Sequence, residues 1–474
     1  MQDSYITIPV ELLNILSVEQ AWHYKIVPRR INCTTAEFFC IEETAADDVK
    51  EELELLLGKK IVLIPESPLS INRTLSRYYS KTLKETKKSV LLKKGDFLDE
   101  ILKTANEFGS SDIHIEISES TGRIRFRIDG RLEERYHVRS EEYPTLVNKI
   151  KISANLDIAE KRLPQDGRLL YRSSIDSHDI RVSVLPTMYG EKLVLRLLRK
   201  SGLNINLNEI GFDKYQLPVY LEGIRKPSGI ILISGPTGSG KTTTLYATLS
   251  LLNRKDVNIL TIEDPIEYTI DGINQVQLRD NIGLNYARAL RTFLRQDPDI
   301  IMLGEIRDGE TAEMAIRASL TGHLVLSTIH TNSAWGIVTR LTDMGVPAFL
   351  IAETLNTAIA QRLVRKLCPY CRQVEVLNSS AYPRLAVEIK EVSEHYLPVG
   401  CDKCRHTGYS GRIALFEVIG MDEELRGRIR TGDTDIAEWR KNGKVKTLKE
   451  SALRLFADGL TSLEEVSPLI LSDL

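Results

Sequence analysis

The sequence predicts an α/β protein: a core built on a parallel sheet, preceded by an α+β domain and a small N-terminal α/β unit, and carrying a four-cysteine insert. Three observations lead there. Apolar runs at Ile230–Ile233, Ile259–Ile262, Ile300–Leu303 and Leu324–Ser327 lack polar alternation, the pattern of strands covered on both faces. A glycine-rich segment, Gly235 to Thr242, follows the first of these runs and precedes a helix-compatible stretch. Two Cys-x-x-Cys pairs stand downstream.

The 474 residues suggest about three domains. A net charge of −2 supplies no global basic field to recruit nucleic acid or anionic lipid. No apolar run approaches the roughly 18 residues of a membrane span, and the first residues, MQDSYITIPVELLN, carry an acid where a signal peptide would be basic. A cytoplasmic chain is expected, with membrane contact only peripheral. Four of the six cysteines form the two pairs, while Cys33 and Cys40 stand apart. In a reducing compartment such pairs read as metal ligands rather than disulfides.

Along the chain, residues 1–85 read as a small mixed unit, with a helix over Asp48–Leu57 and a strand over Lys60–Ile64. The lysine-rich run Lys81–Lys94, containing the expected linker 86–94, reads as a solvated helix or linker rather than a binding patch. Residues 95–206 form the α+β domain. Its first helix, Phe97–Phe108, keeps Leu98, Ile101, Leu102 and Ala105 on one stripe. Strands are expected at Asp112–Ile117, Arg123–Ile128, Asp179–Leu185 and Lys192–Leu198, with a tight turn at Asp129-Gly130 and a hairpin bracketing Gln165-Asp166-Gly167. Residues 207–474 hold the core, the insert at 366–412 and C-terminal helices from 413 to 474.

Gly235-Pro236-Thr237-Gly238-Ser239-Gly240-Lys241-Thr242 satisfies the phosphate-loop pattern in full, and Thr243 continues it. Its glycines let backbone N–H groups close around phosphates, with a helix N-terminus behind them. Lys241 is expected at the β/γ-phosphates and Thr242 on Mg2+. Glu263, Asp264 and Glu267 follow the next apolar strand; there they can hold Mg2+ through water or orient an attacking water, or simply terminate the strand, since Asp264-Pro265 is ordinary turn chemistry. Glu305 ends a further strand, where a carboxylate can polarise water for attack on a γ-phosphate. His323 and His330 flank Leu324–Ser327 and can face the same phosphate, although lone histidines in such places are more often structural. Cys368, Cys371, Cys401 and Cys404 can supply four thiolates in a tetrahedron, the geometry of structural Zn2+ with no position left for a catalytic water.

These motifs carry a resemblance. GPTGSGKTTTLYATL, TIEDPIEY, LRQDPDIIMLGEIRD, TGHLVLSTIHTNSA and QRLVRKLCPYC resemble the type II secretion and type IV pilus assembly ATPases, as do SDIHIEI, KRLPQDGR, DIRVSVLPT and GEKLVLRLL upstream and GCDKCRHTGYSGRIALFE downstream. The resemblance spans about residues 95 to 474; residues 1–85 match only loosely. It implies a RecA-like P-loop core, a PAS-like α+β domain and a tetracysteine zinc insert. Glu305 becomes the catalytic carboxylate, Glu263 to Glu267 an acidic box and His330 the γ-phosphate contact, with Arg181 and Arg196 as arginine fingers from the α+β domain. It further implies a homo-hexamer that uses ATP and Mg2+, docks on inner-membrane platform or adaptor proteins and drives pilin-like subunits out of the membrane. One departure is Asn285-Tyr286-Ala287, where the family usually has Thr-Phe-Ala. Two competing readings are a nucleic-acid translocase or DNA-uptake motor, which would need a basic channel or stacking platforms, and a nucleotide-gated scaffold without turnover, against which Lys241, Thr242 and Glu305 all speak.

Overall fold

A computed structural model describes residues 6, 8, 12, 15–16, 18–32, 34–41, 47–79, 88–89, 97–172, 177–198, 206–377, 385, 387–389, 392–433, 436, 439 and 445–471. Cys33 and most of the expected linker lie outside these residues. The chain divides into two compact units. One holds residues 1–198 together with 366–386 and 390–411; the other holds 199–365, 387–389 and 412–474. The four-cysteine segment thus groups with the residues before 198 rather than with its flanking sequence.

In the first unit, β1 (Ile26–Ile31), β2 (Thr35–Cys40) and β3 (Lys60–Pro65) form a three-stranded sheet. β1 and β2 are antiparallel, β2 and β3 parallel. The parallel step needs a crossover, which α2 (Asp47–Leu57) supplies; α1 (Val18–Tyr24) and α3 (Pro68–Tyr78) complete the unit. Ala36, Phe38 and Cys40 alternate into its core with Leu53, Ile61, Ile71 and Leu75, so Cys40 acts there as a small apolar side chain.

A second sheet follows, in the order β4 (Lys88–Ser89), β7 (Arg131–Arg139), β6 (Thr121–Ile128), β5 (Asp112–Ile117), β10 (Gly190–Leu198), β9 (Ser177–Thr187), β8 (Gln165–Arg172). One face buries Ile113, Ile115, Ile124, Phe126, Val182, Val184, Leu193 and Leu195 with α4 (Phe97–Glu107) and α5 (Tyr143–Ser153). Asp129 and Gly130, both at positive φ, make the tight turn between β6 and β7. The expected hairpin at Gln165-Asp166-Gly167 is a correction: these residues begin β8, with Gln165 paired to Val184. Gly167 is there for close approach rather than for turning, because a Cβ would meet Ala154 O at 2.7 Å.

The second unit is built on a seven-stranded sheet ordered β13 (Asn274–Gln277), β12 (Ile259–Glu263), β14 (Ile300–Leu303), β15 (Leu324–Ile329), β11 (Gly229–Ser234), β16 (Leu355–Leu367), β17 (Tyr409–Gly420). Pairs from β13 to β16 are parallel. Every residue of β11, β12, β14 and β15 is buried, which explains the missing alternation. Helices α6 (Gln216–Arg225), α7 (Lys241–Leu252), α8 (Tyr286–Phe293), α9 (Gly309–Leu320), α10 (Gly336–Asp343) and α11 (Ala348–Thr354) surround it, followed by α12 (Glu423–Thr431), α13 (Leu448–Ala457) and α14 (Leu463–Leu471). Ser234 pairs with Ile329, Leu303 with Ser327 and Ile262 with Leu303. These registers bring the carboxyl ends of four strands to one edge, where open α/β sheets bind ligands.

Candidate functional site

The loop leaving β11 is shaped by glycine. Gly235, Gly238 and Gly240 have φ of 152°, 80° and 87°, and a Cβ on Gly235 would strike Gln361 O at 2.5 Å. Gln361, from β16, holds the loop from below: its amide donates to Ser239 O at 2.9 Å and its oxygen accepts from Thr244 Oγ1 at 2.9 Å. Nζ of Lys241 donates to Gly235 O (2.7 Å) and Pro236 O (3.2 Å). Burial lowers the Lys241 pKa while the charge of Glu305 opposes that shift. Thr242 and Thr243 are exposed on the first turn of α7. The Ser239 hydroxyl is buried with no hydrogen-bond partner among the described residues. Orphaned buried hydroxyl, loop N–H groups and helix N-terminus together fit a phosphate group.

Glu305 is set between two neighbouring strands. Gly304 N donates to Ile262 O (2.8 Å), Thr328 Oγ1 to Gly304 O (2.8 Å) and Ile306 N to Thr328 O (2.9 Å). Its Oε1 is bonded by Arg307 Nη2, and its Oε2 lies 3.4 Å from Nε2 of His330, which follows β15. The same Arg307 reaches Asp264 at 3.7 Å. A mobile-proton acceptor, an imidazole and a lysine are thus gathered on one edge, with Arg307 tying the acids of β12 and β14 together. Asn285 caps α8 by accepting from Arg288 N at 2.9 Å, as the usual threonine can. Tyr286 sets its hydroxyl 3.0 Å from where a Gly304 Cβ would sit; burial and the charges of Glu305 and Asp264 raise its pKa.

Other expected site residues fall elsewhere. Glu263 is a correction: it is 3% exposed and turned inward. One oxygen accepts from Thr261 (2.6 Å) and Gln275 (3.1 Å) and the other from the Tyr246 hydroxyl, so both are engaged by side chains of the fold. Burial raises its pKa. Glu267 is held through its backbone N–H, which donates to Tyr246 Oη at 3.3 Å. His323, open to either reading in the sequence, falls on the structural side. It precedes β15 at the amino edge, its Nδ1 2.8 Å from Ala318 O, and the strand separates it from His330 by about 20 Å.

Arg181 and Arg196 lie in the first unit, on the sheet face opposite its core. The β8–β9–β10–β5–β6 register lines up Arg168, Arg181, Arg196, Asp112 and Arg127 in one row. Arg196 is paired to Asp112 (3.0 Å) and is 57% exposed. Like charges directly opposite are unfavourable on a sheet, so such a row suits an anion.

The four cysteine sulfurs lie within 4.8 Å of one another, with Cys368–Cys401 at 3.9 Å, Cys371–Cys404 at 3.6 Å and Cys401–Cys404 at 3.8 Å. Tetrahedral zinc with bonds of about 2.3 Å sets sulfurs about 3.8 Å apart, so the cage fits that ion. Backbone N–H groups of Gly400, Cys401 and Gly408 donate to the sulfurs at 3.2–3.3 Å, as a thiolate shell requires. The knuckle also aims Arg405, whose guanidinium caps Phe108 O and Glu107 O (both 2.7 Å) and stacks 4.2 Å above the Phe108 ring.

Sequence reasoning missed Arg307, Gln361 and Arg362, although GEIRD and QRL stand inside the quoted motifs. Polar types within the long apolar strand β16, and just past the end of β14, were the available signal.

The family model for "Type II/IV secretion system protein" matches residues 87–468. The chain is 43% identical over 448 residues to the type IV pilus assembly ATPase PilB of Myxococcus xanthus, covering 88% of this chain and 79% of that protein. It is 41% identical over 466 residues to type II secretion system protein E of Dickeya dadantii, covering 91% and 92%. Among solved structures, the ATPase DotB of Legionella pneumophila superposes with a TM-score of 0.58 at 24% identity, over 81% of this chain and 98% of that one. The pilus retraction motor PilT with bound ADP gives 0.54 at 25% identity, over 79% and 96%. With the motifs, the sheet and these matches in agreement, the chain belongs to the type II/IV secretion system protein family, a family of secretion and pilus-assembly ATPases.

Proposed function

We propose that the chain hydrolyses ATP to assemble type IV pilin or type II pseudopilin subunits at the inner membrane, working as a ring of six copies docked on platform or adaptor proteins of that machine. The observation that carries the ATPase reading is the shared strand edge: Lys241 at the head of the loop, with Glu305 and His330 facing each other across 3.4 Å. Lys241 exchanges its two carbonyl partners for β- and γ-phosphate oxygens. Thr242 and water held by Asp264 would hold Mg2+, which neutralises phosphate charge. Glu305 lets go of Arg307 to orient water, and His330 donates to the terminal phosphate. Arg181 and Arg196 supply positive charge to the transition state, so turnover requires the α+β domain. Glu267, in the segment that follows β12, is assigned a supporting role in ordering the water.

The relatives are named for secretion and pilus assembly, so a nucleic-acid-translocating role is not carried further. Among the described residues no helix is long and apolar enough to cross a membrane. We place the chain peripherally on the cytoplasmic side through partners, with residues 1–85 as the docking unit. Purified full-length chain is expected to release phosphate from Mg-ATP, and Lys241→Ala to reduce that rate by at least about 100-fold. A wild-type chain that binds ATP without turnover would favour the gated scaffold instead.

The four cysteines are proposed to hold structural Zn2+. Elemental analysis is expected to find about one zinc per chain. Chelation is expected to lower the melting temperature and expose the Arg405 segment to protease, because the fold of the knuckles is bound up with the metal.

A further inference from the structure

Lys241 is not the only cation at the phosphate loop. β16 runs parallel to β11 with Ala360 opposite Ser234, and it continues where β11 gives way to the loop. Its next two residues point to opposite sides. Gln361 supports the loop from below, while Arg362 brings Nη1 to 3.3 Å from where a Gly235 Cβ would lie. Arg362 is half-buried, yet among the described residues no carboxylate lies within ion-pair distance of it. It donates only to main-chain carbonyls, Gln361 O (3.0 Å) and Asn332 O (3.0 Å). Lys241 is likewise satisfied only by carbonyls.

Burial lowers the pKa of both groups, and the charge of Arg362 adds to the lowering at Lys241. The opposing carboxylates are Glu305 for Lys241 and the buried Glu417 for Arg362. Two half-buried cations that repel each other are costly unless an anion joins them. The guanidinium has five N–H donors, of which two are used here, and phosphate oxygens are stronger acceptors than carbonyls. Asn332 stands two residues after His330 on a segment pinned by Thr331 Oγ1 donating to Ser333 O at 2.9 Å. A shift of Arg362 toward phosphate therefore pulls on the His330 segment.

We propose that Arg362 is a second cation of the phosphate site, supplied by the same chain, that binds terminal phosphate oxygens and reports the triphosphate state to the His330 segment. This rests on the reading of residues 235–242 as the nucleotide site.

Isothermal titration of the full-length wild type, Arg362→Gln and Arg362→Lys with Mg-AMPPNP and with Mg-ADP tests it. Arg362→Gln is expected to weaken AMPPNP by about tenfold or more, the effect of one charge-assisted hydrogen bond, and ADP by less than about threefold. Arg362→Lys is expected to recover part of the preference for the triphosphate. Equal weakening of both nucleotides, with or without a fall in melting temperature, would overturn the proposal, since a purely structural role does not discriminate them. Unchanged affinities would overturn it too. Wild-type chain that bound neither nucleotide would instead sink the ATPase reading beneath it.

Discussion

Glu305→Gln is expected to cut ATP turnover by about 10²- to 10⁴-fold while ATP binding stays within a few-fold of wild type. The change keeps the size of the side chain and removes its capacity to take a proton. In the structure this carboxylate is half committed: one oxygen is bonded by Arg307 and the other faces His330. Arg307 is the exposed partner of this pair, at 57% against 17% for Glu305, so its guanidinium can return to water when the carboxylate is needed. Phosphate release, measured beside the binding of a fluorescent ATP analogue, separates the two effects. Hydrolysis at the wild-type rate would remove Glu305 from the catalytic role and move the search to Asp264 and Glu267.

The double change Arg181→Ala with Arg196→Ala is expected to cost more, about 10³- to 10⁵-fold in turnover, again with little loss of ATP binding. The two residues face each other on β9 and β10, on the side of the sheet away from its core, and Arg168 extends the row. Neither belongs to the interior that holds the domain together, so folding should survive; the melting temperature of the variant checks this. Arg196 is exposed while its partner Asp112 is buried, and Arg127 also reaches Asp112 at 3.5 Å, so Asp112 keeps a cation when Arg196 turns to a phosphate. Single variants should each lose part of the rate. Full turnover by the double variant would take this face out of the mechanism and leave hydrolysis to the second unit alone.

Several elements were legible because their causes are local. The phosphate loop requires its glycines and lysine in consecutive positions. Buried parallel strands appear as unbroken apolar runs, and Leu98, Ile101, Leu102 and Ala105 mark the buried stripe of α4 directly. The two cysteine knuckles each close within four residues, so only their pairing needed the fold. Reading was poorer where a residue type has two uses. Gly167 suggested a turn but serves a close approach, and only the position of Ala154 distinguishes the two.

The sequence by itself determined the α/β class, the strand ends that carry chemistry, and the family. Tertiary structure decided which of those residues are usable. Glu263 and Glu305 both terminate apolar strands, yet one is enclosed by Thr261, Gln275 and Tyr246 and the other opens onto the edge. His323 and His330 bracket one strand, and a strand has two ends, so only His330 can share the site. Gln361 reaches Ser239 across 122 positions of sequence. Spacing along a chain fixes periodicity and local turns. It carries no record of which distant segment a parallel sheet lays beside the loop, and that neighbour, β16, brings both Gln361 beneath the loop and Arg362 beside it.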